Sequence, residues 1–87
     1  MTKLSDLVSA GILPAGSILV FEQKRKKKIY KAEVTAEGLL TTEDGVLHKT
    51  PSGAARHLNE NKPIDGWYAW RTDKDISLDN LRKRLLK

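Results

Sequence analysis

Residues 29–36 (IYKAEVTA) alternate between apolar and polar side chains, and this pattern limits the folds open to the chain. In an extended strand, successive side chains point to opposite faces. One face then collects the largely apolar members, Tyr30, Ala32, Val34 and Ala36, and the other collects the polar ones, Lys31, Glu33 and Thr35. The alternation predicts a strand with one buried face. Residues 17–22 (SILVFE) are rich in strand-forming side chains and too short for a helix, so we expect them to pair with it in a hairpin.

Two further turns extend this hairpin into a meander. The dipeptides Glu37-Gly38 and Asp44-Gly45 are typical of turns. Short strands are therefore predicted at 39–43 and 46–49. With the hairpin, they predict an antiparallel sheet whose strands follow one another along the chain.

The first and last helices are predicted from the spacing of their apolar side chains. Within residues 3–10, helical spacing relates Leu4, Leu7 and Val8. Gly11 follows as a C-terminal cap. The last helix begins after Ser77, which is typical of an N-cap, and its inward-facing leucines are Leu78, Leu81 and Leu85.

The middle helix, over residues 50–60, could also hold a phosphate. Thr50 is typical of an N-cap and Pro51 of the first helical position, and the inward-facing stripe is Ala54, Ala55 and Leu58. Thr50, Ser52 and Gly53, with the free backbone N–H groups of the first turn, make a site that can hold a phosphate. Two cations stand nearby, Lys49 and Arg56. The alternative is a capped helix start that binds only water.

Residues 66–71 (GWYAWR) hold three of the five aromatic side chains. We interpret residues 67–72 as the last strand, with Trp67 and Ala69 on one face and Tyr68 and Trp70 on the other. Both tryptophans are expected to pack in the core of so small a domain, and Tyr68, with its hydroxyl, at the surface. The element order α-β-β-β-β-α-β-α predicts a single α+β domain over residues 1–87, with four or five short strands and three helices.

Charge is concentrated in one segment. The chain has 16 basic and 11 acidic residues, a net charge of +5, yet residues 24–31 alone hold six basic residues and no acid. The remainder carries 10 basic and 11 acidic residues, a net of −1. Five consecutive cations at 24–28 repel one another, and a nucleic-acid backbone would offset that repulsion and release counterions. The alternatives are a solvated hairpin tip, a lysine-protected strand edge or a membrane surface. The last is disfavoured because no amphipathic basic helix with exposed aromatic side chains accompanies the run.

Several classes of protein are disfavoured. The chain has no cysteine, so nothing indicates a disulfide scaffold, a zinc-thiolate site or a thiol nucleophile. His48 and His57 lack cysteines or clustered carboxylates at ligand spacing, and no nucleophile motif is present. We therefore expect no enzymatic activity, no cofactor and no metal. No apolar run approaches a membrane span, so we expect a soluble cytoplasmic protein, nucleoid-associated if bacterial.

Three segments, taken in order, carry a resemblance to a known family. They are residues 7–21 (LVSAGILPAGSILVF), residues 37–58 (EGLLTTEDGVLHKTPSGAARHL) and residues 65–71 (DGWYAWR), with the lysine-rich hairpin after the first. Over about residues 4–86 the chain resembles the RAMA domain, named for restriction-enzyme and adenine-methylase association. The resemblance implies a DNA-binding module proposed to read modified bases, notably N6-methyladenine. A similar segment forms the C-terminal domain of solitary adenine methyltransferases, where it helps to hold duplex DNA.

The resemblance also assigns individual residues. The family's helix-start motif is matched by Thr50, Pro51 and Ser52, and its small-residue stripe by Ala54 and Ala55. Its aromatic motif is matched by Gly66, Trp67 and Trp70. Asp65 stands where family members often carry Asn, and a carboxylate there would repel phosphate, so we expect Asp65 to serve a turn.

We therefore predict a non-enzymatic module that binds double-stranded DNA and recognises a modified base. The predicted contacts are Lys24, Arg25, Lys26, Lys27, Lys28, Lys31, Lys49, Thr50, Ser52, Arg56, Tyr68 and Arg71. One alternative is a DNA-targeting appendage of an adenine methyltransferase or a restriction enzyme, with that methyltransferase or nuclease domain as partner. Another is a protein-interaction module whose lysines meet an acidic partner.

Overall fold

A four-stranded antiparallel meander forms the centre of the protein, as the alternation and the turn dipeptides predict. A computed structural model describes residues 3–23 and 25–85, and Lys24, one of the predicted DNA contacts, lies outside the described residues. The strands of the meander are β1 (Ile18–Gln23), β2 (Lys28–Val34), β3 (Leu40–Thr42) and β4 (Leu47–His48). A short strand, β5 (Trp70–Arg71), pairs antiparallel with β1 and gives the sheet order β4-β3-β2-β1-β5.

Helices cover one face of this sheet. Those within the described ranges are α1 (Leu4–Ser9), α2 (Pro51–Leu58), α3 (Gly66–Ala69) and α4 (Leu78–Leu85). Their buried side chains join those of the strands in one core, which includes Leu4, Leu7, Leu19, Phe21, Val34, Leu40, Ala54, Ala55, Trp70, Leu78 and Leu81. Large apolar side chains on the other face are exposed, such as Ile18 and Ile29. The α+β class is thus confirmed, with the helices on one side of an antiparallel sheet.

The predicted strand over residues 67–72 is wrong for most of its length. Residues 66–69 form a helical turn, α3, and only Trp70–Arg71 are extended. Asp65 causes the turn, because its side chain accepts a hydrogen bond from the Trp67 N–H at 3.0 Å and its carbonyl accepts one from the Ala69 N–H at 3.1 Å. The described chain therefore has four helices rather than three, in the order α-β-β-β-β-α-α-β-α. Asp65 serves the local backbone, as predicted.

The helical turn also overturns the predicted alternation of the aromatic side chains. Trp70 is fully buried, Trp67 is half-buried, and Tyr68 is 57% exposed. Core packing is therefore confirmed for Trp70 and surface exposure for Tyr68. The strand β2 ends at Val34, so Ala36, predicted on the buried face, is exposed in the turn that follows. Across the part of the chain that is described, no helix is long and apolar enough to cross a membrane.

Candidate nucleic-acid interface

The five consecutive cations at 24–28, here called the basic loop, connect β1 to β2. The pairing of the two strands continues to Gln23 opposite Lys28, so four residues make the connection and Lys28 begins β2. Lys27 turns the chain with a φ of 53°, a left-handed conformation that is uncommon for a residue with a side chain. The described cations of the loop, Arg25, Lys26, Lys27 and Lys28, are all exposed. The loop therefore presents its charges to solvent.

The basic loop is fastened to the C-terminal end of α2. Lys26 forms an ion pair with Glu60, and the side-chain amide of Gln23 donates a hydrogen bond to the Asn59 side chain. Arg56, which is exposed, donates from Nε to the Asn61 carbonyl at 3.1 Å. The structure thus brings the basic loop and Arg56 together around the turn at residues 59–61.

Sequence reasoning missed two charges at this end of α2. Lys62 lies in the same turn and is exposed, so it adds a cation that the run at 24–28 does not contain. Glu60 offsets part of the charge by pairing with Lys26. A short polar stretch directly after a helix is the only sequence signal for either residue, and it does not say which loop the stretch will meet.

Two predicted contacts lie on the other side of the sheet. Lys31 and Arg71 are both cross-strand neighbours of Val20, on the face opposite the helices. The Arg71 guanidinium lies 3.4 Å from the Asp75 carboxylate, and Tyr68 and Arg71 border one surface cavity of about 420 Å³ together with Glu22. These residues are therefore separate from the cluster that the basic loop forms with Arg56.

The start of α2 is tied to α3 by side chains of the two motifs. The Thr50 hydroxyl accepts from the Gly53 N–H and the Ser52 hydroxyl accepts from the Gly66 N–H, each at 3.0 Å. The buried Trp70 ring donates from Nε1 to the Pro51 carbonyl at 3.0 Å. Both hydroxyls retain a proton to donate, but the first turn of α2 is occupied by contacts within the protein. The motif residues here hold the fold.

A largely apolar groove of about 670 Å³ opens beside this end of α2. Its apolar walls are Leu4, Leu39, Leu47, Pro51 and Trp67. Polar atoms around it come from Lys3, Ser5, Glu37, Lys49 and Thr50. Lys49 and Thr50 are therefore brought together here, apart from the basic loop. Sequence reasoning missed the groove because its walls come from four separate parts of the chain.

Three titratable side chains lie close together near α2, namely His48, His57 and Asp44. His57 Nε2 lies 2.6 Å from Asp44 Oδ2, and this bond, with a second from Thr42, holds the pKa of Asp44 far below its usual range. The His48 ring lies 4.9 Å from the His57 ring. Burial, helped by the neighbouring His57, lowers the pKa of His48. In residues 3–23 and 25–85, no group of three His, Cys, Asp or Glu side chains is placed to hold a metal ion.

Comparison with known families relates these features to one group of proteins. The family model described as RAMA, Restriction Enzyme Adenine Methylase Associated, matches residues 1–87, the whole length of the sequence. No curated protein matches the chain. The resemblance predicted from the three motif segments is therefore confirmed over a slightly longer range than expected.

Proposed function

The chain belongs to the RAMA family, which is associated with restriction enzymes and adenine methylases, and we propose that it is a non-enzymatic module that binds double-stranded DNA. The observation that carries the proposal is the basic loop. Its four described cations are exposed. The chain outside residues 24–31 has a net charge of −1, so attraction to a polyanion is local to this loop.

The residues predicted to contact DNA lie in separate groups on the protein surface. The described cations of the basic loop, Arg56 and Lys62 are all exposed, and Lys26 and Arg56 each contact the turn at residues 59–61 after α2. We propose that these cations bind the phosphates. Lys49, Thr50 and Ser52 lie at the opposite end of α2, and their contact with DNA remains a prediction. Lys31 and Arg71 lie on the face away from the helices, so we expect a smaller contribution from them.

Salt dependence of duplex binding tests the phosphate contacts. Each phosphate neutralised by a lysine contributes roughly 0.9 to the slope of log K against log salt. We expect Lys27→Gln with Lys28→Gln to make that slope shallower by roughly 1.8. The matched control is Lys74→Gln with Arg84→Gln, two exposed cations outside the loop that give the same net charge. A flat wild-type slope, or equal effects of the two double variants, would refute the proposal.

Recognition of a modified base is the finer part of the proposal. It is supported by the association of the family with adenine methylases and by the apolar groove beside α2. The test compares matched duplexes with and without N6-methyladenine at one position, at fixed salt. Tighter binding of the methylated duplex is expected. Equal affinities would leave a module that holds DNA without reading its modification.

A role as the DNA-targeting part of a methylase or restriction enzyme is the second candidate, and the family association favours it. An adenine methyltransferase linked to this domain should methylate DNA faster at low enzyme concentration than the same fusion with Lys27→Gln and Lys28→Gln. Equal rates would mean that the domain does not deliver the enzyme through the basic loop. Tight binding of an acidic protein, with none of DNA at the same salt, would favour the protein-interaction alternative instead.

A further inference from the structure

We propose that the groove beside α2 binds a single nucleobase that has left the base stack, with the adjoining phosphates on Lys3 and Lys49. The inference rests on the proposed DNA binding and assigns a second site to it. The basic loop would hold the duplex, and the groove would hold one base.

Two close backbone contacts support the groove and restrict the movement of its walls. A Cβ on Gly38 would lie 2.4 Å from the Ser5 Cα, so the turn after β2 rests directly on α1. A Cβ on Gly66 would lie 2.1 Å from the Pro51 carbonyl carbon, so α3 rests directly on α2. Each contact joins two parts of the chain that line or support the groove. The cavity is therefore formed before a ligand arrives, which lowers the entropy lost on binding.

The surface of the groove suits a flat aromatic ring. Its volume of about 670 Å³ lies within the range of small-molecule sites, roughly 300–1,000 Å³. Trp67 is half-buried, and the Arg82 guanidinium lies 4.7 Å from the centre of its ring, a cation–π contact that restrains it. Leu47, in β4, is 56% exposed although it is a large apolar side chain. A base placed here would cover apolar surface that the fold leaves open.

The excess of positive charge at the rim of the groove favours a ring that belongs to an anionic molecule. Lys3 and Lys49 contribute two cations against the single carboxylate of Glu37. An apolar peptide side chain or a neutral ligand would gain nothing from that excess. A nucleotide in a DNA strand has a phosphate on each side of its base, and the two lysines complement those phosphates.

The distance to the basic loop fits a bound duplex. The loop is fastened just beyond the C-terminal end of α2, and the groove lies at its N-terminal end. The helix has eight residues, so it is about 12 Å long at 1.5 Å per residue. At roughly 3.4 Å per base pair, that length corresponds to about four base pairs. A duplex on the basic loop can therefore present a nearby base to the groove.

A methyl group on the base adds apolar area where the groove is apolar. Leu39 and Leu47 both line it. Burial of one methyl group corresponds to roughly a fourfold gain in affinity. An extruded N6-methyladenine should therefore bind about four times more tightly than an extruded adenine.

The test uses two duplexes of the same sequence, one fully paired and one with a single unpaired adenine. We expect the wild-type protein to prefer the second by at least about fivefold, the lower range for stacking of one base on an aromatic side chain. Leu47→Ser should remove that preference and leave the affinity for the paired duplex unchanged. Ile18→Ser is the control, because Ile18 is a comparably exposed apolar residue, at 45%, on the face without helices. The unpaired adenine is then replaced by N6-methyladenine.

Tryptophan fluorescence gives a second readout. The two tryptophans differ, since Trp70 is fully buried and Trp67 lines the groove. We expect the duplex with the unpaired adenine to quench the emission, and Trp67→Phe to abolish the quenching. Equal affinity of the wild-type protein for the two duplexes, or a preference that survives Leu47→Ser, would refute the proposed base site. The proposed binding of phosphates by the basic loop would be unaffected by that result. Failure to bind either duplex would overturn the proposed function together with this inference.

Discussion

Gly66 and Pro51 bring α3 and α2 together at a distance that admits no side chain. The contact is fixed by hydrogen bonds from the Gly66 N–H to Ser52 and from the Trp70 ring to the Pro51 carbonyl. Four of the residues that match the family's motifs, Pro51, Ser52, Gly66 and Trp70, therefore make this contact. Substituting Pro51, Gly66 or Trp70, all of which are buried, would disturb this packing.

The substitution Gly66→Ala is expected to destabilise the protein by about 2–3 kcal/mol, the usual cost of overpacking a core. Its Cβ would lie 2.1 Å from the Pro51 carbonyl carbon and 2.4 Å from the Ser52 nitrogen, which are backbone atoms that cannot move alone. Denaturant unfolding measures the change. Gly53→Ala is the control, since its Cβ would meet only the Thr50 hydroxyl, at 3.0 Å. A shift within about 1 kcal/mol is expected there, because alanine also favours the helix.

His48 makes folding sensitive to mild acid. Its Nε2 is buried and has no hydrogen-bond partner among the described residues, and burial lowers the pKa of the ring. Protonation is then easier in the unfolded chain than in the folded one, so stability falls as the pH drops below the ordinary histidine pKa of about 6.5. The nearby charged groups are His57, which adds to this effect, and Asp44, which opposes it.

The variant His48→Gln should therefore lose less stability than the wild type between about pH 7 and about pH 5. Thermal unfolding at both pH values gives the comparison. Asp44 does not interfere in that window. Its pKa is lowered, so its contribution to stability is complete above its unfolded value of about 4 and is lost only in stronger acid. An identical loss for the two proteins would show that His48 is not the group responsible.

At the scale of elements, the β1–β2 hairpin is held by the turn after α2. Lys26 pairs with Glu60 and Gln23 with Asn59, so two contacts orient the basic loop from residues far away in sequence. Glu60 has two opposed effects on DNA binding. It orients the loop, and it places a carboxylate among cations that are proposed to meet phosphates.

Charge is the stronger of these effects, because an exposed ion pair contributes little to holding a loop. Glu60→Gln should therefore raise DNA affinity about two- to threefold at low salt and steepen the salt slope by up to roughly 0.9, one further phosphate contact by Lys26. Fluorescence anisotropy with a labelled duplex measures both. Glu33→Gln makes the same charge change on the exposed face of β2 and should have a smaller effect. Weaker binding by Glu60→Gln would mean that orienting the loop matters more.

At the scale of the whole molecule, the fold separates its positive surface from the rest. The net charge of +5 equals the charge of the five cations at 24–28, which form the one connection between β1 and β2. A localised charge of this kind turns an approaching polyanion toward one surface and raises the rate of association. The effect is distinct from affinity, since it depends on where the charges lie.

Association rates at low salt should show this asymmetry. The triple variant Arg25→Gln, Lys27→Gln and Lys28→Gln reduces the net charge from +5 to +2, and we expect it to slow association with duplex DNA roughly tenfold. The control, Lys74→Gln, Lys83→Gln and Arg84→Gln, reaches the same net charge and should slow it less. Stopped-flow mixing provides the rates. Equal slowing by the two variants would mean that only the total charge matters.

Local patterns in the sequence were enough to predict the meander and three helix positions. Alternation gives a strand its buried face, turn dipeptides end it, and neighbouring strands then pair across short connections. Thr50, Pro51 and Ser77 mark helix starts for equally local reasons, because their side chains or ring suit the first turn. The basic loop was also predictable, since a run of like charges is itself a sequence pattern.

Contacts between distant segments decided the rest. Residues 67–72 were interpreted as a strand, but residues 66–69 form a helical turn, which the Asp65 cap and the fit of Gly66 against Pro51 favour. The Lys26–Glu60 pair and the groove join parts of the chain with no relation in sequence. The sequence alone therefore determined where the charges lie, where the strands of the meander run and where three of the helices lie. Only tertiary packing decided which of them share a surface, because that depends on how closely the backbones approach.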